Sequence, residues 1–176
     1  RMGSTLTVDN IVGATTAANV KLPAGSILQS VTKTFTDSTS ITSSGATFTD
    51  LTNATITITP KYNNSKILII PNIAFYITVS GAYIYGGFRL LRGSSTVVSA
   101  ANSRDGNGAF DYGMGVASNS TTLQFDTRHC AHDVDTPATT SAVTYKYQAQ
   151  NYSAGRTIYI NGYSASSSII AMEISV

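Results

Sequence analysis

Apolar and polar residues alternate strictly along residues 54–59, where Ile56 and Ile58 stand between threonines. Successive side chains of a β-strand point to opposite faces, so this period of two predicts a strand with one buried face. Residues 143–149 show the same strict alternation, and residues 27–35 show a looser form of it. About ten such segments follow one another between turn-forming residues, without the period of about 3.6 residues of an amphipathic helix. The pattern predicts an all-β chain folded as an antiparallel β-sandwich, most simply a jelly roll.

The composition agrees with strands and argues against several other classes of protein. Serine and threonine make up 47 of the 176 residues, whereas glutamate, which favours helices, occurs once, as Glu173. Hydrophobic residues make up 42% of the chain and include ten tyrosines, which is typical of a folded protein rather than a disordered one. A net charge of +2 without a cluster of lysine or arginine argues against nucleic-acid binding. The apolar runs are also too short to span a membrane.

The chain divides into three parts of different character. Residues 1–4 are typical of a cloning remnant. Residues 5–25 hold few large apolar side chains and end in a Pro-Ala-Gly turn signal. They are either a flexible leader or an extended neck that packs against copies of itself, and we expect the neck. Residues 26–176 carry the strand pattern and form one head domain, large enough to bury its own core.

Two strands are apolar on both faces, although a sandwich strand ordinarily has one solvated face. The first covers residues 67–77, and the second is the final segment, residues 169–176. Either loops cover the second face or another subunit packs on it, and a charged fraction of only 11% favours a subunit interface in a closed assembly. The side chains expected at this interface are Ile67, Ile69, Ile73, Phe75, Ile169, Ala171 and Glu173.

Three stretches of the sequence resemble a known family. They are TLTVDNI at residues 5–11 leading to VKLPAGS at residues 20–26, ITPKYNNSKILI at residues 58–69, and SIIAMEI at residues 168–174. Together they are similar to the C-terminal tip of bacteriophage tail-fibre and receptor-binding proteins, of the type found in marine phages. The resemblance implies a homotrimer on the virion, in which an intertwined neck carries three heads similar to the C1q/TNF-like jelly roll. It also implies that the heads bind a receptor on the bacterial host.

Polar, charged and aromatic residues outside the strands concentrate in two loops, residues 101–112 and 128–139. Loops on a rigid sandwich commonly carry the binding surface. The expected receptor contacts are Asn102, Arg104, Asp105, Asn107, Phe110, Tyr112, Arg128, His129, His132, Asp133 and Asp135. Tyrosines near strand ends also offer flat faces with hydrogen-bonding tips, which suit sugars and protein epitopes, although ordinary core packing is the alternative. These are Tyr83, Tyr85, Tyr112, Tyr152 and Tyr163.

The segment from His129 to Asp135 is the one cluster of metal-type ligands in the sequence. His129 and His132 are weak candidates for a zinc or nickel site on a threefold axis, and a polar loop with incidental histidines is the favoured interpretation. The Asp-Gly-Asn-Gly run at residues 105–108 resembles the start of a calcium loop but lacks the later glutamate, so a tight turn is favoured there. We expect no cofactor.

Patterns that indicate catalysis are weak. The nucleophile motif Gly-x-Ser-x-Gly does not occur. Paired carboxylates for glycoside cleavage would have to be aspartates such as Asp105, Asp111 and Asp126, whose placement the sequence leaves open. We therefore expect a non-enzymatic virion protein that binds a bacterial surface glycan or outer-membrane protein, acts outside the cell and enters no membrane. The alternatives are a structural virion component, capsid-decorating or baseplate-type, and a polysaccharide-degrading hydrolase.

Overall fold

The computed structural model describes residues 22–42, 47–79, 83–94, 96–98, 112–117, 123–151 and 157–176. Within these ranges the chain forms twelve strands and a 3-10 turn at Gly162–Ser164. The strands are β1 (Ile27–Phe35), β2 (Thr39–Ile41), β3 (Thr49–Ile58), β4 (Lys66–Val79), β5 (Tyr83–Arg92), β6 (Thr96–Val97), β7 (Tyr112–Ala117), β8 (Leu123–His129), β9 (Asp133–Asp135), β10 (Val143–Asn151), β11 (Ile158–Ile160) and β12 (Ser167–Ile174).

The strands form two antiparallel sheets that enclose one hydrophobic core. The seven-stranded sheet has the order β1-β12-β4-β11-β2, with β8 and β9 also paired to β4. The five-stranded sheet has the order β3-β10-β5-β6, with β7 also paired to β5. Because the core draws side chains from both sheets, the arrangement is that of a β-sandwich. The all-β sandwich class predicted from the alternation is confirmed.

Strand β4 organises the seven-stranded sheet, because it pairs along both of its edges. Its first half pairs with β12 and β9, and its second half pairs with β11 and β8. Pro71 lies where the partners of β4 change, since one ladder stops at Ile69 and the next begins at Ile73. A proline has no N–H to donate, so this break in the ladder accommodates Pro71 without a lost hydrogen bond on that edge.

The start of the described chain is fastened to its end. Ser26 donates its N–H to the carbonyl of Pro23 at 3.1 Å, and Gly25 has the positive φ, 86°, that a type II turn requires at its third position. Gly25 donates its N–H to the carbonyl of Ser175 at 2.8 Å, and Ser175 donates to the carbonyl of Ser26 at 2.9 Å. The predicted turn at the base of the head is confirmed, whereas residues 5–21 of the expected neck lie outside the described residues.

The two-sided apolar strands have their explanation within one chain, which corrects the expected subunit interface. The side chains assigned to that interface lie between the two sheets, and each is at most 3% exposed: Ile67, Ile69, Ile73, Phe75, Ile169, Ala171 and Glu173. The five-stranded sheet of the same chain covers them, so they are not available to a second subunit. The opposite faces of β4 and β12 carry apolar side chains that are only half-buried, such as Ile70 and Ile170. The side chains named for the interface thus belong to the buried face of β4 and β12.

Glu173 explains why the expected interface includes the buried face of β12, because a charged residue is ordinarily found on the solvated face of a strand. Its carboxylate is instead buried and accepts hydrogen bonds from the Gln29 amide at 2.6 Å and from the N–H groups of Lys61 and Tyr62 at 2.7 and 3.2 Å. Burial by itself raises the pKa of a carboxyl, but these bonds, together with the nearby Ser65 hydroxyl, outweigh it and lower the pKa of Glu173. The carboxylate thus ties the β3–β4 connection to β12 and β1.

We expect the protein to lose stability on acidification through the pKa of Glu173. Because the folded-state pKa is lowered, the ionised carboxylate stabilises the fold above the unfolded pKa, about 4.3, and this contribution is lost as the pH falls through the folded value. Glu173→Gln should lower the free energy of unfolding by about 1.5–3 kcal/mol near neutral pH and flatten its decline at acidic pH. Urea unfolding at a series of pH values measures both effects.

The matched control for this experiment is Asp37→Asn, which neutralises an exposed carboxylate. It should leave both the free energy of unfolding and its pH dependence close to those of the wild type. A Glu173→Gln protein that behaves like this control contradicts a stabilising role for the buried carboxylate.

Candidate functional site

In the five-stranded sheet, the outer face of β3 and of the adjoining part of β10 is polar. Strand β3 alternates buried isoleucines with exposed Thr55 and Thr57, and the Thr57 hydroxyl is hydrogen-bonded to that of Thr144 at 2.8 Å. Lys146 and Asp50 add an ion pair across β10 and β3 at 2.9 Å. This surface has the pattern of a sheet face in contact with water.

The outer face of the seven-stranded sheet is apolar over the first half of β4. Ile70 lies opposite Ile170, and Leu68 lies between Met172 on one side and Val134, 52% exposed, on the other. We name these outer-face side chains the apolar patch: Ile27, Leu68, Ile70, Val134, Ile170, Met172 and Ile174. A contiguous apolar surface on an otherwise polar protein marks an interaction site.

Polar side chains close the apolar patch at its far end. Asn72 of β4 lies opposite Ser168 of β12, on the same face as Ile70 and two residues further along the strand. Arg128 of β8 donates from Nη1 to Asn72 Oδ1 at 2.9 Å and to the carbonyl of Ser166 at 3.0 Å. We name Asn72, Ser168 and Arg128 the polar belt. A polar rim of this kind is typical of the border of a protein interface.

Beyond the polar belt, the second half of β4 carries tyrosines. Tyr76 lies opposite Tyr159 of β11 on one edge and Asp126 of β8 on the other, and Tyr159 lies opposite Ser40 of β2. The rings of Tyr76 and Tyr159 are stacked, with centroids 4.5 Å apart and planes at 8°. Tyr163 is 76% exposed, and its ring packs against that of Tyr76 with centroids 4.9 Å apart. We name Tyr76, Tyr159 and Tyr163 the tyrosine cluster.

The turn that carries Tyr163 has an unusual backbone. Asn161, Tyr163 and Ser164 have positive φ values of 51°, 55° and 60°, a region that residues other than glycine rarely adopt. Gly162 is required between them, because an added Cβ would collide with the ring of Tyr76. Strained backbone of this kind persists where the surrounding structure over-determines it, and it clusters at binding sites.

Hydrogen bonds of Asn161 fix the position of this turn. Its N–H donates to the carbonyl of Ala74 at 3.0 Å, and its side-chain amide donates to the carbonyls of Phe35 and Asp37 at 3.3 and 3.2 Å. Its Oδ1 accepts a hydrogen bond from the Ser167 hydroxyl at 2.5 Å, and that hydroxyl accepts one from the N–H of Ala74 at 2.9 Å. These bonds join the turn to β1, β4 and β12, so they fix the position of the tyrosine that follows.

Two shallow grooves flank the tyrosine cluster. One, of about 290 Å³, runs along β8 and is lined by Asp126 and Arg128. The other, of about 360 Å³, lies towards β2 and is lined by hydroxyl groups, among them that of Ser40. Desolvation, reinforced by Tyr163, raises the pKa of Tyr76, so its phenol remains protonated near neutral pH. The arrangement combines flat aromatic faces with hydrogen-bonding groups on both sides.

The structure separates the receptor contacts expected in residues 128–139. Arg128 lies on the outer face, in the polar belt, and His132 is exposed on the connection to β9. His129 points to the opposite side, is 1% exposed and stacks on Phe88 with ring centroids 4.4 Å apart. Because the core encloses it, His129 is not a surface contact, and the expectation for this residue is wrong.

Asp135 is also turned inward, which corrects its assignment as a receptor contact. Its carboxylate accepts two hydrogen bonds from Nη1 of Arg92, at 2.9 and 3.1 Å, and one from the Tyr145 hydroxyl at 2.8 Å. Burial, together with the bond to Asp135, raises the pKa of Tyr145. Since Arg92 and Tyr145 belong to one sheet and Asp135 to the other, the three side chains fasten the two sheets together. Asp133, at the start of β9, is half-buried.

The remaining expected contacts stay predictions. Of Tyr112 only the backbone in β7 is described, and five lie outside the described residues: Asn102, Arg104, Asp105, Asn107 and Phe110. In the part of the chain that is described, no three His, Cys, Asp or Glu side chains converge as a metal site, so His129 and His132 are not brought together with other ligands. None of the described elements is a helix long and apolar enough to cross a membrane.

Sequence reasoning singled out Tyr163 but missed its two partners. Tyr159 stands between Ile158 and Ile160, and Tyr76 stands in an equally apolar run, so both have the appearance of core residues. The available signal is the period of two. Because the isoleucines on either side of Tyr159 face the core, the tyrosine must face outward. No protein-family model and no curated protein matches the sequence.

We expect Asp135→Asn to destabilise the sandwich, because it leaves the half-buried guanidinium of Arg92 without its charged partner. The free energy of unfolding should fall by about 1–3 kcal/mol, and the melting temperature by a few degrees for each kcal/mol. The control is Asp50→Asn, which removes an exposed ion pair and should cost less than about 1 kcal/mol. Equal losses in the two variants would show that Asp135 does not join the sheets. Thermal unfolding followed by circular dichroism measures the difference.

Proposed function

We propose that this chain is the C-terminal tip of a bacteriophage tail fibre, a non-enzymatic homotrimer whose heads bind a receptor on the host surface. The observation that carries the proposal is the apolar patch. It covers the outer face over the first half of β4 and the adjoining part of β12, whereas the outer face of β3 in the other sheet is polar and rich in threonine. A single sandwich does not need a second apolar face for its own core, but subunits that pack together do.

The position of the neck supports packing around a common axis. Residues 22–26 run beside Ser175, directly after Ile174 of the apolar patch. A neck in which three chains intertwine must leave each head close to the threefold axis, and the patch is the surface that packs on that axis. A closed ring of three buries every patch and leaves none exposed for further growth. The trimeric neck at residues 5–25 is part of this proposal.

The order of the strands supports a jelly roll of the C1q/TNF-like type. The main strands in chain order are β1, β3, β4, β5, β7, the pair β8 and β9, β10 and β12. In one sheet the order is β1, β12, β4 and the pair β8 and β9, which are the first, eighth, third and sixth of these strands. In the other sheet the order is β3, β10, β5 and β7, which are the second, seventh, fourth and fifth. Two interlocked Greek keys produce this alternation between sheets.

The receptor is a glycan or an outer-membrane protein on the bacterial surface, and the protein acts on the virion, outside the cell. The surface-exposed His132, together with the loop at residues 101–112, provides one set of contacts for it. A structural virion component held together by the same apolar patch is the second candidate. Binding to cells separates the two, because a component that provides only cohesion has no reason to bind the host.

We expect the wild-type protein to have in solution three times the chain mass of 18.5 kDa. Ile170→Asp and Met172→Asp each place a carboxylate in the apolar patch, where its burial without a partner costs several kcal/mol, so both variants should be monomeric. Thr55→Asp, on the polar outer face, is the matched control and should remain trimeric. Light scattering after size exclusion gives the masses. A monomeric wild type, or trimers of both patch variants, would rule out the patch as the subunit interface.

We expect fluorescently labelled wild-type protein to adsorb to cells of a susceptible strain within a panel of marine bacteria. The monomeric Ile170→Asp protein should adsorb much more weakly, because three heads on one surface bind with avidity. Flow cytometry measures the bound fraction. A trimer that adsorbs to no strain of the panel favours the structural role, and release of reducing ends from cell-surface polysaccharide would indicate a hydrolase instead.

A further inference from the structure

We propose that the tyrosine cluster and the grooves beside it form a binding site for neutral sugars, so that the receptor of the proposed fibre tip is a glycan. The biological meaning of this inference rests on the proposed function, but the site itself is argued from the geometry alone. Three features carry it: an exposed aromatic platform, hydrogen-bonding groups in line with it, and a turn that holds the platform in place.

The aromatic platform is Tyr163, with one ring face against Tyr76 and 76% of the residue exposed. A pyranose ring has a face made of C–H groups, which carry a slight positive charge and are attracted to the negative face of an aromatic ring. Tyr76 and Tyr159 are stacked beneath and beside this platform, so the exposed ring rests on other rings rather than on mobile side chains. A fixed aromatic face of this kind suits a sugar better than it suits a flexible peptide.

Hydrogen-bonding groups extend on both sides of the aromatic platform. The row Ser40, Tyr159, Tyr76 and Asp126 crosses four neighbouring strands. Three spacings between strands make the row about 14 Å long, which accommodates more than one sugar ring. The two grooves, of about 290 and 360 Å³, lie along this row. Sugar hydroxyls need donors and acceptors around an apolar centre, and this row provides them.

The turn at residues 161–164 gives the site its rigidity. Three residues with positive φ are held there by the hydrogen bonds of Asn161 to Phe35, Asp37 and Ala74. A side chain that is already fixed loses little conformational entropy when a ligand binds. The core stabilises this strain through the buried Asn161, whereas Gly162–Ser164 contain no buried residue, so the presentation of the Tyr163 ring explains the strain.

The site is separate from the surface that packs against other subunits. Tyr76 lies six residues beyond Ile70 on the same strand, a distance of about 20 Å. The polar belt lies between them, with its hydrogen bond from Arg128 to Asn72. Charged and hydroxyl groups line the grooves, whereas the apolar patch consists of apolar side chains, with Lys66, Ser30 and Thr32 at its margins. A second copy of the chain therefore fits the patch, and a polar ligand with an apolar face fits the tyrosine cluster.

The charges at the site favour neutral over acidic sugars. Asp126 is exposed and ends the row on one side, where its carboxylate can accept hydrogen bonds from sugar hydroxyls. The Arg128 guanidinium is held in the polar belt by hydrogen bonds from Nη1 to Asn72 and to the carbonyl of Ser166, so it is less free to turn toward the carboxylate of a sugar. A uronic acid would meet the negative charge of Asp126 and bind more weakly.

The test uses the trimeric full-length chain and defined sugars. The neutral probes are lactose, maltose and cellobiose, and the acidic probe is digalacturonic acid. Saturation-transfer NMR identifies the sugar protons that contact the protein. Tyrosine fluorescence gives the dissociation constant, since the chain has no tryptophan. We expect at least one neutral disaccharide to bind through the C–H face of its ring and digalacturonic acid to bind at least about tenfold more weakly.

Four variants locate the site. Tyr163→Ala should weaken binding at least about tenfold, and Asp126→Asn should weaken it about fivefold. Tyr163→Phe keeps the ring and should bind within about threefold of the wild type. Phe125→Ala is the matched control, because Phe125 is 44% exposed and precedes Asp126 on β8 but pairs with the buried Ile77. It should bind like the wild type.

The other outcomes show whether the sugar site, the proposed function or both are wrong. No binding by any neutral probe, or unchanged binding by Tyr163→Ala, means that the cluster is not a sugar site. A loss of the trimer in Tyr163→Ala, seen as a smaller mass in light scattering, means that the cluster belongs to the subunit interface. If Tyr163→Ala still adsorbs to host cells as the wild type does, the proposed fibre-tip function stands and the receptor is bound elsewhere. If the wild type binds sugar but adsorbs to no cells, the function fails and the site stands.

Discussion

Strand β4 is the element on which the seven-stranded sheet depends, because β12, β9, β11 and β8 all pair with it directly. Strands β1 and β2 join the sheet only through β12 and β11. A strand paired on both edges and packed on its inner face leaves one surface free to carry a function, namely its outer face. The change of partners beside Pro71 divides that face into two parts, the apolar patch and the tyrosine cluster.

The contrast between the two outer faces follows from which residues alternate with the core isoleucines. In β3 the alternate positions hold threonine and aspartate, so the outer face remains solvated. In β4 and β12 these positions hold leucine, isoleucine and methionine. Each Å² of apolar surface that remains in contact with water costs about 25 cal/mol in free energy. A protein with so few charged residues has little to keep such a surface soluble. Burial against further copies of the chain, as in the proposed trimer, would relieve this cost.

The sequence predicts the all-β sandwich because period-two alternation depends only on neighbouring residues. The apolar runs at residues 67–77 and 169–176 also point to the strands that carry the second surface, but not to the face. Which face of the final strand is buried depends on Glu173, whose burial is stabilised by N–H groups 111 and 112 residues away in sequence. The prediction that His129 lies on the surface is wrong for a similar reason, since the position of His129 in the core depends on Phe88. The left-handed turn beneath Tyr163 follows from the contacts of Asn161 with three other segments, which no local pattern contains.

The proposed assembly and the proposed sugar binding use the same sheet and would reinforce each other. A shallow, open site beside a single exposed ring makes few contacts, so one head holds a sugar weakly. Three heads on a common axis convert the second and third binding events into intramolecular ones, which raises the overall affinity by about 10²–10⁴ without a new contact. In the proposed trimer, packing at the apolar patch would also fix the first half of β4 and, through the continuous strand, the frame that positions Tyr76. The same strand would then carry both the patch that supplies the multivalency and the tyrosine cluster that requires it.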